Sequence, residues 1–217
     1  MKARKRTAIL ISGRGSNMSS LIAAAMDVKY PATISLVIAN RSDAKGLETA
    51  ASHGIETRLV DHRQYPSRAA FDTELDRTLK AAGTELVACA GFMRIMTPEL
   101  VEAWRDRMIN IHPSLLPAYK GLHTHERAIA DGIRIHGCTA HFVRHDVDSG
   151  PIIAQAAVPV LPDDTPEALA ARVLKTEHRI YPMALKLVAS GAVRIEGEQL
   201  VWQKPFEHGG SLLVPRP

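Results

Sequence analysis

The sequence predicts an α/β protein: an open, mainly parallel sheet with helices on both faces, then C-terminal antiparallel strands, a long helix and a hairpin. Three observations carry this. Strand-like and helix-like segments alternate three times before Gly83. The strand-like runs are continuously apolar rather than alternating, as strands covered on both faces are. With 217 residues and 46% hydrophobic content, the chain can bury a sizeable core yet is short enough for one domain.

In order, TAILIS (7–12) is the first strand, followed by a helix from about Asn17 to Met26. TISLVIAN (33–40) precedes helical LETAASHG, and ETRLVD (56–61) precedes SRAAFDTELDRTLKAAG, which closes at Gly83 as a C-terminal glycine does. ELVACAG (85–91) is a fourth strand. Past Pro98, the helix PELVEAWRD leads to a fifth, RMINIH (107–112), so the alternation is Rossmann-like. GCTAHFVRH (137–145) and PIIAQAAVPV (151–160) then read as two strands joined by the turn DVDSGP. A long helix starts from Thr165, with Asp164 as its expected cap, Pro166 in its first turn and Gly191 closing it. Pro182 should kink that helix, and AVRIEGEQLVWQ (192–203) should form a hairpin turning at Glu196 and Gly197.

Composition narrows the partners. The apolar runs, such as LVACAGFM at 86–93, fall far below the ~20 residues a membrane helix needs, so no membrane partner is expected. The apolar run after the basic start is also too short for a signal peptide. Cys89 and Cys138 have no CxxC spacing and read as buried thiols, which fits a reducing cytoplasm. The net charge of +4 owes much to KARKR (2–6), read as a flexible, solvated tail over about residues 1–6. With 5% aromatic residues there is little for stacking bases, so a small anionic substrate is expected and no nucleic acid.

SGRGSNMSS (12–20) follows a strand and opens a helix, which aims backbone N–H groups and the positive end of the helix dipole at whatever lies in front. A phosphate suits that place. The dinucleotide pattern fails at Met18, where it needs glycine, and no Walker lysine follows. Gly13 and Gly15 let backbone approach an anion, while Ser16 and Asn17 either add donors or cap the helix.

INIHPSLLP (109–117) ends the fifth strand. Alternation turns Asn110 and His112 to one side, where an amide and a protonated imidazole can converge on a carbonyl oxygen that gains charge. A nearby carboxylate keeps such a ring charged, and Asp146 or Asp148 in RHDVDSGP is the candidate. HTH (123–125) imitates a metal pair but lacks a third ligand at a recognisable spacing, so no metal is expected. Ser114 lacks the G-x-S-x-G elbow of a nucleophile. By periodicity MRIM (93–96) is core, with Arg94 on the surface.

The motifs ISGRGSN, AGFMRI, NIHPSLLP, GLHTH, HFV with VDSGP, and EHRIYP resemble, in order and spacing, those of the phosphoribosylglycinamide formyltransferase family. The likeness runs from about residue 7 to about 203. It implies transfer of a formyl group from the cosubstrate 10-formyltetrahydrofolate to the amino group of glycinamide ribonucleotide, in purine biosynthesis. It also implies that Asn110, His112 and Asp148 are catalytic, selecting Asp148 over Asp146. Gly15, Ser16, Asn17 and Glu177 would hold the ribonucleotide. The folate would meet Arg68, Met93, Arg94, Ile95, Met96, Asn110, Arg144, His145, Asp146, Val147 and Asp148. Leu174 stands where some members place a glutamine near the phosphate.

One domain over 1–217 is expected, with a nucleotide-binding-like half over about 7–112 and a folate-binding and C-terminal half over about 113–203. The expected assembly is a monomer or homodimer, in the cytoplasm. Two other readings are a formyltetrahydrofolate hydrolase, disfavoured by the phosphate loop, and a nucleic-acid-binding module using KARKR.

Overall fold

The computed structural model describes residues 3–203. Nine strands and six α-helices follow one another as β1 (Lys5–Ile11), α1 (Ser16–Ala25), β2 (Ala32–Ala39), α2 (Gly46–Ser52), β3 (Glu56–Leu59), α3 (Arg68–Ala81), β4 (Leu86–Cys89), α4 (Pro98–Ala103), β5 (Met108–His112), α5 (Thr124–Ala130), β6 (Ile135–Phe142), β7 (Ile152–Pro159), α6 (Pro166–Ser190), β8 (Val193–Glu196) and β9 (Gln199–Trp202). The first seven strands form one sheet in the order β3-β2-β1-β4-β5-β6-β7, and β8 and β9 form a separate hairpin. β1 to β5 pair in parallel, whereas β6 runs antiparallel to both β5 and β7.

Strand pleating explains the continuous apolar runs. Ile9 and Ile11 of β1 face one core with Met18, Leu21, Tyr181 and Leu185 of α1 and α6. Ala8 and Leu10, alternating with them, face the other with Phe71, Leu75 and Leu79 of α3 and Trp104. Successive residues therefore bury against helices on opposite faces. Tyr181 pins α6 to the sheet, donating its hydroxyl hydrogen to the carbonyls of Cys89 (2.8 Å) and Ile109 (3.2 Å) on β4 and β5. Both cysteines are free and buried, which raises their thiols to about 12 at Cys89 and about 11 at Cys138.

Four expectations need correction. The basic start is not a loose tail up to residue 6, because β1 begins at Lys5; Lys5 pairs with Glu85 at 2.7 Å, Arg6 donates to the Ala82 carbonyl, and Arg4 donates to the Ala25 and Ala32 carbonyls. Residues 1 and 2 lie outside the described residues. The cap of α6 is Thr165, whose hydroxyl accepts from the Ala168 N–H; Asp164 instead takes the Leu161 N–H and a bidentate contact from Arg172. The hairpin turns at Gly197 and Glu198 rather than one residue earlier, since Glu196 still pairs with Gln199 and the positive φ of 63° falls on the glycine. Finally, α5 occupies a stretch with no expected helix. As expected, Gly191 closes α6 with φ 74°. Among the described residues no helix is long and apolar enough to cross a membrane.

β1 sends its chain to β2 on one side while β4 lies on the other, so a crevice opens at the carboxyl ends of β1, β4 and β5. Ser12 closes its floor: its N–H reaches the Gly91 carbonyl, and its hydroxyl accepts the Met93 N–H at 2.8 Å while donating to Asn40 at 2.6 Å.

Candidate active site

β5 delivers Asn110 and His112 to the crevice on the same side of the strand, as its period of two requires. The turn after β6 brings Asp148 to meet them. Its backbone sits at φ 51°, a left-handed conformation that turns the side chain inward while Asp146 stays exposed. His112 Nδ1 lies 3.3 Å from Asp148 Oδ2, with only 7% and 9% of the two side chains exposed. The same carboxylate oxygen accepts the Gly121 N–H at 2.9 Å. His112 Nε2 lies 2.9 Å from the Tyr119 carbonyl, so both ring nitrogens face oxygen atoms.

His141 of β6 lies opposite Asn110 in the ladder, and the sequence alone predicts no role for it. Its Nδ1 lies 2.9 Å from the Phe142 carbonyl and its Nε2 is 3.2 Å from the Asn110 side-chain nitrogen. Burial holds the ring's pKa below the usual imidazole value, so it is neutral, with Nδ1–H donating and Nε2 accepting from Asn110. That contact fixes which way the Asn110 amide points and leaves its second N–H free to aim at a ligand. The only available signal was a polar residue paired across the ladder, and a single histidine in an apolar strand reads as core.

Ser114 is fully buried and donates to the Ala118 carbonyl at 2.6 Å, bracing the loop after β5. His123 pairs with Glu126, and His125 packs edge-on against His136 at 5.3 Å between centroids. Among the described residues no group of three or more His, Cys, Asp or Glu side chains is placed to hold a metal ion.

At the end of β1, Gly15 adopts φ 73° and precedes α1, and no side chain caps the helix. Ser16 is exposed at its first turn, leaving the hydroxyl and the terminal N–H groups facing outward. Asn17 does not cap either. Its amide donates to Glu177 Oε2 of α6 at 2.7 Å, while its Oδ1 is buried without a partner. Glu177 is 6% exposed, and burial raises its carboxyl pKa above the usual range, partly countered by Asn17. Gly15, Ser16, Asn17 and Glu177 thus form one group.

The segment after β4 is not core. Met93 and Ile95 are 64% and 57% exposed, because the chain has left the sheet at Cys89 and no strand flanks it. Arg94 is instead half-buried over the Phe71 ring at 5.8 Å, and Met96 packs on the α3 side of the sheet. Arg68 is exposed at the first turn of α3. Burial raises the Asp72 carboxyl, while its bonds from Thr97 and the charges of Arg68 and Arg94 act the other way. Val147, 49% exposed, adds a third large apolar side chain left open on the Asp148 loop. The Arg144 guanidinium is held by Asp106 and Glu198, and His145 is exposed.

A family model described as formyl transferase matches residues 5–185. The chain is 42% identical over 194 residues to phosphoribosylglycinamide formyltransferase of Escherichia coli (strain K12), covering 89% of this chain and 91% of that protein. It is 48% identical to the trifunctional purine biosynthetic protein adenosine-3 of Bos taurus over 92% of this chain but 20% of that one, so it spans about a fifth of the length of such relatives. The crystal structure of glycinamide ribonucleotide transformylase 1 from Symbiobacterium toebii superposes with a TM-score of 0.91 at 44% identity, covering 94% of this chain and 96% of that one.

Proposed function

The chain belongs to the formyl transferase family, and we propose that it transfers the formyl group of 10-formyltetrahydrofolate to the amino group of glycinamide ribonucleotide, a step of purine biosynthesis. The observation that carries this reading is the nearly buried His112–Asp148 pair beside Asn110 at the carboxyl end of β5. Such a pair supplies a charged donor and an oriented amide to one point, as acyl transfer needs.

In this reading the substrate amine attacks the formyl carbon and a C–N bond forms. The carbonyl oxygen takes up negative charge and accepts hydrogen bonds from the free Asn110 N–H and from His112, whose Nε2–H exchanges the Tyr119 carbonyl for the oxyanion. Asp148 balances the charge of the ring. A proton moves from the attacking nitrogen, through water, to N10 of the folate. The C–N10 bond then breaks and tetrahydrofolate leaves. No step calls on a metal.

The phosphate belongs in front of α1, against its open N–H groups, the Gly15 backbone and the Ser16 hydroxyl. Glu177, held by Asn17, meets the ribosyl part. The exposed Met93, Ile95 and Val147 are apolar area for the pterin to cover, with backbone of 93–96 and 144–148 to read its edge. In this reading Arg68, exposed at the first turn of α3, pairs with the glutamate tail.

The test follows folate absorbance as 10-formyltetrahydrofolate is consumed, with and without glycinamide ribonucleotide. Consumption that requires the amine supports transfer; equal consumption without it replaces transfer by hydrolysis.

A further inference from the structure

Glu198 sits at the tip of the β8–β9 hairpin, far in sequence from the Asp148 turn, yet it bonds to the residue at the base of that turn. Arg144 donates through Nε to Glu198 Oε2 at 2.7 Å, through Nη2 to Asp106 Oδ1 at 2.7 Å and through Nη1 to the Val143 carbonyl at 3.1 Å. Its side chain is only 10% exposed. Glu198 also pairs with Arg105, beside Asp106. An exposed ion pair alone does little. Here the central cation is nearly buried between two carboxylates, and losing either leaves it with a single counter-charge and an unpaired guanidinium N–H.

The hairpin is a firm anchor, since Val193 is buried and Ile195 and Leu200 pack against the α6-side core. Hairpin and turn face each other across an open groove of about 800 Å³, so ion pairs rather than filled packing join them. The other end of the turn is fixed by Gly150, where an added Cβ would lie 1.8 Å from the Phe142 carbonyl oxygen. Between these two fixed ends the chain presents Asp148 to His112.

We infer that Glu198, with Asp106, is a positioning residue: by holding the Arg144 guanidinium it fixes the 144–150 turn and hence the distance between Asp148 and His112. The kinetic consequence rests on the formyl-transfer reading; the structural one does not. Arg144 then serves the donor site through the turn's backbone, not by touching folate with its guanidinium.

The test compares Glu198→Gln, Arg144→Gln and the double variant in the full chain, by steady-state kinetics and by amide hydrogen exchange of peptides spanning 144–150. Both single variants should raise the KM for 10-formyltetrahydrofolate by about two- to tenfold, with the double variant no worse than either, as coupled neighbours behave. The KM for glycinamide ribonucleotide should hold, and exchange across 144–150 should quicken. Glu196→Gln, on the same hairpin but paired with Arg194, should change neither. A raised donor KM in Arg144→Gln alone, with Glu198→Gln like the parent, overturns the inference in favour of direct contact. Lowered unfolding midpoints with unchanged donor KM and exchange overturn it in favour of a merely structural role. If the parent shows no amine-dependent transfer, the functional reading fails and exchange alone decides the clamp.

Discussion

Replacing Asp148 by Asn isolates the charge at the centre of the site. The side chain keeps its shape and an acceptor for the Gly121 N–H, now 2.9 Å from the carboxylate. What disappears is the counter-charge 3.3 Å from His112 Nδ1. At that separation two unit charges attract by about 1 kcal/mol at the dielectric of water and about 5 kcal/mol at an effective dielectric of ~20. With 7% and 9% of the side chains exposed, the pair belongs nearer the second figure. If the charged ring is needed only as the oxyanion forms, kcat/KM falls by between about tenfold and a few thousandfold. The amine-dependent absorbance assay reads the rate, and urea unfolding checks that the fold survives. A kcat/KM within about threefold of the parent would refute the reasoning, because a buried pair used in the transition state cannot be lost so cheaply.

Asn110→Ala removes the other donor, and by comparison with single oxyanion donors the loss is about 2.7 to 4 kcal/mol, or hundreds-fold in turnover, with unfolding unchanged; near-normal turnover would remove Asn110 from the reaction. Gly15→Ala places a Cβ 3.0 Å from Met18 Cε at φ 73°, and such a left-handed residue costs about 1 to 2 kcal/mol, read by urea unfolding together with a raised KM for glycinamide ribonucleotide. Parental values of both would mean that the loop tolerates the change. His136 predicts an acid limb in stability. Burial, then the neighbouring His125, lowers it from 6.5 to about 4, so the unfolded chain binds the proton first. Stability is therefore full above pH 6.5 and falls as pH drops towards 4, by up to roughly 3 kcal/mol. His136→Phe should flatten that limb in urea unfolding at pH 7 and pH 4.5; an unchanged slope would place it elsewhere.

The parallel half of the fold was legible because burial on both faces writes itself as unbroken apolar runs, as in β1, β2 and β4. What depended on distant partners was not. Lys5 and Arg6 look like a solvated tail until Glu85 and the Ala82 carbonyl arrive from the turn before β4. Thr165 and Asp164 are equally good caps in sequence, and Arg172, two turns into the helix, draws the aspartate away. Met93 and Ile95 pattern as core, yet the sheet ends before them. In the site, alternation alone placed Asn110 and His112 together. Residue types alone left Asp146 and Asp148 open and only the family resemblance selected Asp148; the left-handed backbone at 148 is something the turn's composition does not announce. His141 escaped because its significance is its register opposite Asn110, a property of the antiparallel pair and not of either strand.

The most direct measurement follows the formyl group itself. A ¹³C-formyl folate donor is incubated with the protein and glycinamide ribonucleotide carrying a ¹⁵N amino group, and the products are read by ¹³C NMR. The proposed roles of Asn110, His112 and Asp148 at the carboxyl end of the sheet predict a formamide carbon split by one-bond coupling to ¹⁵N, appearing as the donor signal decays. Unsplit ¹³C-formate as the product, with the ¹⁵N amine untouched, would contradict it.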